Sequence, residues 1–447
     1  MQTFNFPIKK KARVLALGAE SAGIFAFYKN GDISISENFG DLLDEDNFSK
    51  FKKEILKYIK KEKPDIILTD LHPLYNSTIF GQELSKKLKI PRLEVQHHIA
   101  HIFSAVGDYM LNTKYLILNT FHGIAADGTG YGLDGNIWGG EVFKCQMSNV
   151  KCQNFLVERI GSLEEQVMIG GDLAVKEPAR MLIAILDRIW NLPAGRQGLE
   201  FRILNINKNN NLKTIKLKKD FIYKYVKKFY TRNEFELLYN QLQQSFNCQT
   251  TTSAGRVLDA VSLLLGFADN KRNFKHEATK LLEKNSTKPY VNLEFRIMNH
   301  EYQTTNCRPA GVSASGLQRD FNVSSLSRQS PLRRDSDGAE NNESQIPNYQ
   351  LRTTHLFQYL LKNINKDKMR LAATAQEYIA KGFYEMIKKD NILNTKYYIL
   401  NTYFAGGMAN NKIMSAYLEK RGVYTSQKIP RGDEGIAFGQ IIYFIFN

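Results

Sequence analysis

The sequence predicts an α/β fold, and three observations carry that prediction. Short apolar runs that read as buried strands alternate with segments of helical period. Asn, Gly and Pro punctuate the boundaries between them. The chain has 447 residues, 43% hydrophobic and 11% aromatic, which suffices for roughly two to three domain-sized cores and argues against wholesale disorder.

Residues 13–17 form an apolar run that ends at Gly18. Residues 23–28 and 32–36 flank Lys29-Asn30-Gly31-Asp32, and Asn-Gly between two such runs is a strong hairpin signal. In residues 47–63, Phe48, Phe51, Ile55, Leu56 and Ile59 recur at helical spacing, and Pro64 stops the helix before a strand at 66–68. A second helix over 79–88 ends at Pro91, and a strand over 115–118 precedes a glycine-rich stretch, 123–140. A helix follows over 177–190, with Pro178 in its first turn. The C-terminal part reads as a helix over 371–389, a strand over 397–401, a turn at Gly406-Gly407, a helix over 412–420 and a last helical run from Gly435. Residues 194–215 and 287–350 are rich in Ser, Asn and Arg without sustained period and are expected to be loop or disordered insertions.

Composition excludes several classes. No apolar run approaches the ~18 residues that span a bilayer, the longest candidate being 261–268. Residues 1–13 are basic but lack an apolar core with a small-residue cleavage site, so a cytoplasmic location is expected. Cys145, Cys152, Cys248 and Cys307 form no CxxC pair and read as reduced thiols. The net charge of +16 is spread along helix-like lysine runs such as 50–63. With no basic motif interleaved by aromatics, nucleic-acid binding is not expected, and phosphorylated ligands suit the charge better.

The sharpest chemical signal is Gln96-His97-His98-Ile99-Ala100-His101. On a helix, His97 and His101 share one face, about 5–6 Å apart at Cβ, and can hold one ion, whereas His98 points elsewhere. A polar helix face whose histidines only hydrogen-bond is the equal alternative. No Glu follows His97, which removes the zinc-protease reading. Two histidines need further ligands, and Asp127 and Asp433 are placed to supply carboxylates suited to Mg²⁺, Mn²⁺ or Fe²⁺, although each alone could equally form a turn or an N-cap. Three glycine-rich segments offer unobstructed backbone N–H groups for a phosphate: Gly128-Thr129-Gly130 with Gly132, Gly170-Gly171-Asp172, and Gly406-Gly407 running to Asn410. None continues as Gly-Lys-Ser/Thr, so any nucleotide lies outside the P-loop class.

Seven blocks in order carry a resemblance: DLHPLYNST (70–78), VQHHIAH (95–101), ADGTGYGLDGNIWGGE (126–141), GGDLAVKEPAR (170–180), TSAGRVLDAVSLLLG (252–266), AGGMANN (405–411) and PRGDEGIAFGQ (430–440). Together they resemble the Kae1-like part of the hydrogenase-maturation carbamoyltransferase HypF family. The tRNA threonylcarbamoyl transferases share the His-x-x-x-His core, but the first and fourth blocks favour HypF.

The resemblance implies a two-lobed, actin-like ASKHA fold, with residues 1–120 as the N-terminal lobe and 121–447 as the remainder, including the C-terminal lobe. It implies a divalent metal (Fe, Zn, Mn or Mg) on His97, His101, Asp127 and Asp433, these four being the catalytic set. It further implies the ATP/AMP moiety of carbamoyl-adenylate beside Gly128, Thr129, Gly130, Gly171, Asp172, Gly406, Gly407 and Asn410. The expected reaction passes the carbamoyl group to the C-terminal cysteine thiol of a HypE-type protein, for the NiFe site of a hydrogenase. The alternatives are tRNA threonylcarbamoyl transfer and a nucleotide-binding scaffold without turnover. The family's acylphosphatase, zinc and YrdC-like parts have no counterpart in these residues, so a separate YrdC-like protein, or another part of a split or truncated chain, is expected to make the adenylate. The sequence departs from the family pattern at Ile99, where a third histidine is usual, at 373–376 in place of an Arg-Phe-His run, and at Lys275-His276-Glu277-Ala278 in place of acidic-Gly-Gln-Ala.

Overall fold

In the computed structural model of the chain, the described residues are 1–113, 120–147, 155–192, 212–291, 293–294, 296–300, 348–394 and 401–447. The first lobe contains strands β1 (Gln2–Asn5), β2 (Arg13–Ala16), β3 (Ala26–Lys29) and β4 (Asp32–Ile35), helix α1 (Glu45–Glu62), β5 (Ile66–Asp70), α2 (Asn76–Leu88), β6 (Arg92–Val95) and α3 (His97–Thr113). Its sheet runs β1-β4-β3-β2-β5-β6, antiparallel through β2 and parallel from β2 to β6. The predicted hairpin joins β3 to β4, with φ of 52° at Asn30 and 108° at Gly31, the left-handed pair that an Asn-Gly turn accommodates. Asp44 caps α1 by accepting the Asn47 N–H at 3.0 Å.

Strand side chains alternate between two cores, as a period of two demands. Leu15, Leu17, Phe25 and Phe27 face α1 and α2 through Phe51, Ile55 and Phe80. Val14, Ala16, Ala26 and Tyr28 face the other way, with Phe103 of α3 and with Phe438 and Ile442 near the chain's end. Both faces are covered, which is why these strands read as continuous apolar runs.

The second lobe is built on a nine-stranded sheet. Its elements are β7 (Thr120–Tyr131), β8 (Ile137–Met147), β9 (Phe155–Leu163), β10 (Gln166–Ile169), α4 (Leu173–Lys176), α5 (Ala179–Asn191), α6 (Leu212–Val226), α7 (Arg232–Gln243), β11 (Cys248–Thr251), α8 (Ala254–Leu265), α9 (Glu277–Lys284), β12 (Ile297–His300), β13 (Asn348–Leu351), α10 (Thr353–Lys362), α11 (Lys368–Asn394), β14 (Thr402–Ala405), α12 (Lys412–Glu419), β15 (Tyr424–Thr425) and α13 (Ile436–Phe446). The main order is β12-β13-β9-β8-β7-β14-β15. The apolar faces of α5, α8 and α11 pack together in its principal core.

Several expectations change against this fold. The glycine-rich stretch 123–140, left without an element in the sequence reading, is largely strand: β7 and β8 run through it with a bulge between Ala126 and Gly130. The glycines are there because α3 lies close to β7, so that a β-carbon on Gly123 would strike Ile102. Of the two segments expected to be insertions, 194–211 and 301–347 lie outside the described residues, as do the strand predicted at 115–118 and all but the last residue of the one at 397–401. Residues 212–215 open helix α6, and β12 and β13 stand at the margins of the second segment. Helix α13 returns to the first lobe, where the Gln440 side-chain oxygen accepts the Gly18 N–H at 3.0 Å.

Helices α3 and α13 cross with almost no space between them: a β-carbon on Gly439 would overlap the Ala100 carbonyl oxygen. Gly439→Ala is therefore expected to force the helices apart and to cost about 2–3 kcal/mol, measured by urea denaturation. An unchanged unfolding midpoint would contradict this packing.

Candidate metal centre at the lobe junction

Helix α3 starts where β6 ends, and Gln96 organises the start. Its side-chain oxygen accepts the Ile99 N–H at 3.0 Å, and its amide donates at 2.9 Å to the Tyr131 carbonyl of β7. The first turn of α3 thereby abuts the second lobe. His97 and His101 lie one turn apart with their rings edge to face, centroids 4.8 Å apart, while His98 turns toward Gln96 and Trp138. A β-carbon on Gly130 would overlap the His97 and His98 rings, so this glycine makes room for the histidines.

Two carboxylates meet the imidazole edges. Asp127 stands at the β7 bulge, with Oδ2 3.4 Å from His97 Nε2 and 3.3 Å from His101 Nε2. Asp433 opens a short 3-10 turn before α13, with Oδ1 3.7 Å and 3.5 Å from the same nitrogens. One ligand atom from each of the four residues fits within 4.8 Å of the others. Asp70, at the end of β5, binds His97 Nδ1 at 2.7 Å, which aims Nε2 at the cluster.

The two loops around the cluster are tied to each other and to α3. Asp108 accepts the N–H groups of Gln427, Lys428 and Ile429 at 2.7–2.9 Å, which fixes the segment leading to Asp433. Gly406 donates to the Arg431 carbonyl at 3.0 Å, and Gly407 donates to Asp127 Oδ1 at 3.2 Å. Ser21 donates to Asp433 Oδ2, and the Lys275 ammonium lies 3.5 Å from the same oxygen.

Burial opposes charge on every member, yet the mutual pairing prevails. Burial pulls His97 down, but Asp70 and the hydrogen bonds to Asp127 and Asp433 hold it well above the ordinary histidine value. His101 is raised by the same two aspartates. Burial pushes both aspartates up, with repulsion from Asp433 adding to it at Asp127, but the histidines hold both far below the usual carboxylate range. At His98, burial and repulsion from His97 outweigh the attraction of Asp127 and drive the ring well below the ordinary value. Two imidazole nitrogens, two carboxylate oxygens and an outer carboxylate on one histidine form a donor set that fits a divalent cation.

A cleft of about 540 Å³ opens from this cluster. Asp127, Gly407, Asn410 and Asp433 line it, so the third glycine-rich segment and the two aspartates of the cluster share one cavity. Gly406 stands behind Gly407 with φ 93° and lies so close to Ala126 that no β-carbon fits. The other two glycine-rich segments are not brought into this cavity wall. Gly128, Thr129 and Gly130 belong to β7, with Thr129 exposed and Gly130 under the histidines. Gly171 (φ 56°) and Asp172 form the turn before α4, and Gly171 faces Asn247 and Gln249. Residues without an assigned role in the sequence reading also build the site: Asp70, Asp108, Ser21 and Lys275. Asp70 carried a signal as the first residue of the DLHPLYNST block, and Lys275 as the first residue of a departure from the family pattern.

The two sheets, with a cleft and a histidine–carboxylate cluster where the lobes meet, define a two-lobed α/β protein, and the matching family models are of the Kae1-like, ASKHA type. The family model described as "HypF Kae1-like domain" matches residues 9–108, and the one described as "Carbamoyltransferase, Kae1-like Domain, second subdomain" matches 123–319 and 323–440. The chain belongs to the HypF carbamoyltransferase family. It is 32% identical to the probable carbamoyltransferase HypF of Methanocaldococcus jannaschii, over 98% of this chain and 47% of that one. It is 28% identical to carbamoyltransferase HypF of Synechocystis sp., over 63% of this chain and 33% of that one. Among solved structures, full-length HypF in its phosphate- and nucleotide-bound form superposes with a TM-score of 0.72 at 23% identity, covering 99% of this chain and 47% of that one. T. kodakarensis HypF gives 0.72 at 24% identity, covering 99% and 48%. The chain thus spans about half the length, or less, of these relatives. No helix among the described residues is long and apolar enough to cross a membrane.

Because the neighbouring aspartates raise His97 and His101, an ion binding below their raised values displaces protons from them. Mn²⁺ or Zn²⁺ affinity is expected to fall as pH drops and to rise as pH passes upward through the raised values. Calorimetry in buffers of different ionisation enthalpy should show proton release. Asp70→Asn should weaken binding by about 10–100-fold while leaving the four ligand residues in place.

Proposed function

We propose that this chain transfers a carbamoyl group from carbamoyl-adenylate to the C-terminal cysteine thiolate of a HypE-type protein, in the maturation of a NiFe hydrogenase. The observation that carries the reading is the convergence of His97, His101, Asp127 and Asp433 at the cleft that Gly407 and Asn410 line. A divalent ion held by these four residues would supply Lewis-acid polarisation of the carbamoyl carbonyl and neutralise phosphate charge. The chain's own groups do the rest. Asp70 fixes the His97 ring, Ser21 and Lys275 hold Asp433, and the backbone around Gly407, free of side-chain obstruction, admits the adenylate.

The attacking sulfur comes from the partner. Cys145 is buried among Phe121, Phe143 and Phe155, where burial pushes its thiol up, and Cys248 is raised by burial too. Neither lines the cleft. Partner thiolate attack forms the S–C bond of a thiocarbamate, and the bond from carbamoyl carbon to phosphate oxygen breaks with AMP leaving. The adenylate itself is made by a YrdC-like activity outside these residues.

The test is transfer of radiolabelled carbamoyl from synthetic carbamoyl-adenylate to a HypE-type acceptor. Label should appear on the acceptor's last cysteine. His97→Ala and Asp433→Ala should each lower the rate by at least about 100-fold, as loss of several kcal/mol of charge stabilisation requires. An acceptor that stays unlabelled with metal and adenylate both bound would overturn the proposal.

A further inference from the structure

Residues 127–129 of β7 form the bulge, between the pairs Ala126 with Gly140 and Gly130 with Trp138, and have no register partner on β8. A bulge re-aims side chains, but it also takes backbone groups out of the ladder that would hold them. Asp127, one of the four cluster residues, stands there. Its Oδ2 faces the imidazoles, and its Oδ1 accepts the Gly407 N–H at 3.2 Å. The backbone beneath that side chain is held from α8, a helix that lines no part of the cleft.

Ser253 is fully buried and caps α8, its Oγ accepting the Arg256 N–H at 3.1 Å. The same oxygen lies 2.9 Å from the Asp127 carbonyl oxygen and 2.6 Å from that of Gly128, and donates its proton to this pair. An aspartate would cap the helix equally well but could not donate, so the cap alone does not call for serine. The fit is close on both sides. A β-carbon on Gly139 would stand 2.6 Å from the Asp127 carbonyl oxygen, and one on Gly255 would stand 2.9 Å from the Gly128 Cα.

Glu141, also fully buried, fixes the approach to Ser253. Its Oε1 accepts the Gly139 and Gly140 N–H groups at 3.3 Å each and the Thr252 hydroxyl, and Arg159 Nε donates to Oε2 at 2.6 Å. One carboxylate thereby joins the strand opposite the bulge, the residue before Ser253, and β9. The blocks 126–141 and 252–266 thus meet behind Asp127.

We propose that Ser253, set by Glu141, is a positioning residue that locks the β7 bulge so that Asp127 keeps Oδ2 turned to His97 and His101. The inference rests on the reading of the cluster as a metal centre: with the bulge released, Asp127 would no longer be preorganised to share an ion with the imidazoles.

The test is Mn²⁺ binding to the whole chain, followed by calorimetry and by pulsed EPR for nitrogen coupling from bound imidazole. The wild type should bind the ion and show that coupling. Ser253→Ala should bind about 10–100-fold more weakly, as loss of a group that orients a ligand does, with the imidazole coupling kept because the histidines stay on α3. Thr231→Ala likewise removes an N-cap, that of α7, outside both cluster and cleft, and should bind as the wild type does. It separates positioning from a general loss of stability. Should Ser253→Ala fail to fold, Ser253→Cys, which keeps a side chain there with a weaker donor, must weaken binding in the same direction. Ser253 variants that bind Mn²⁺ as tightly as the wild type, or a weakening that Thr231→Ala shares, overturn the proposal and leave the metal centre standing. A wild type that binds no Mn²⁺ removes the metal centre itself, and the inference with it.

Discussion

Everything at the lobe junction answers to one constraint: Asp127 and Asp433 are held within reach of each other and of two imidazoles, largely out of water. The four groups come from three parts of the chain. His97 and His101 belong to the helix that packs on the first sheet, Asp127 to a central strand of the second, and Asp433 to the turn that sends α13 back to the first lobe. A buried ionic cluster of this kind stabilises little by itself, because desolvation offsets the attraction. Removing one member nevertheless leaves an uncompensated charge costing about 3–5 kcal/mol, so the cluster fixes how the lobes meet even where it adds no net stability.

The packing around the cluster serves the same end. Gly130 lets β7 press on the histidine rings, and the crossing of α3 with α13 lets both helices reach the junction. Asp108, further along α3, anchors three backbone N–H groups of the segment before Asp433. The departure at 373–376 lies behind the cleft wall. There Gln376 accepts from the Asn411 side chain at 2.6 Å, while Asn411 caps α12. That region supports the wall and does not line the cleft.

Legibility followed locality. Helix α1 and the Asn30-Gly31 hairpin were readable because their signals lie within a few residues. The His97–His101 pair was readable because i, i+4 spacing is a property of one helix. Asp127 and Asp433 are separated by 306 positions, and no local pattern joins them, so only the ordered family blocks placed them together. The strands within 123–140 were not legible because what fills the space beside the glycines, Ile102 and the histidines, comes from a helix outside the stretch. Gly171-Asp172 has the backbone of a ligand loop, but nothing local says which cavity it faces. Asp70 contributes through a partner 27 residues away, and Asp108 through one more than 300 away.

The central claim is that one ion joins the lobes through two imidazoles and two carboxylates, and X-ray absorption spectroscopy of the Mn²⁺- or Zn²⁺-loaded protein tests it most directly. The account predicts a first shell with imidazole scattering from two histidines and oxygen from carboxylates, with one imidazole lost in His101→Ala. An all-oxygen shell, or a shell unchanged when His97 and His101 are both replaced, would contradict it.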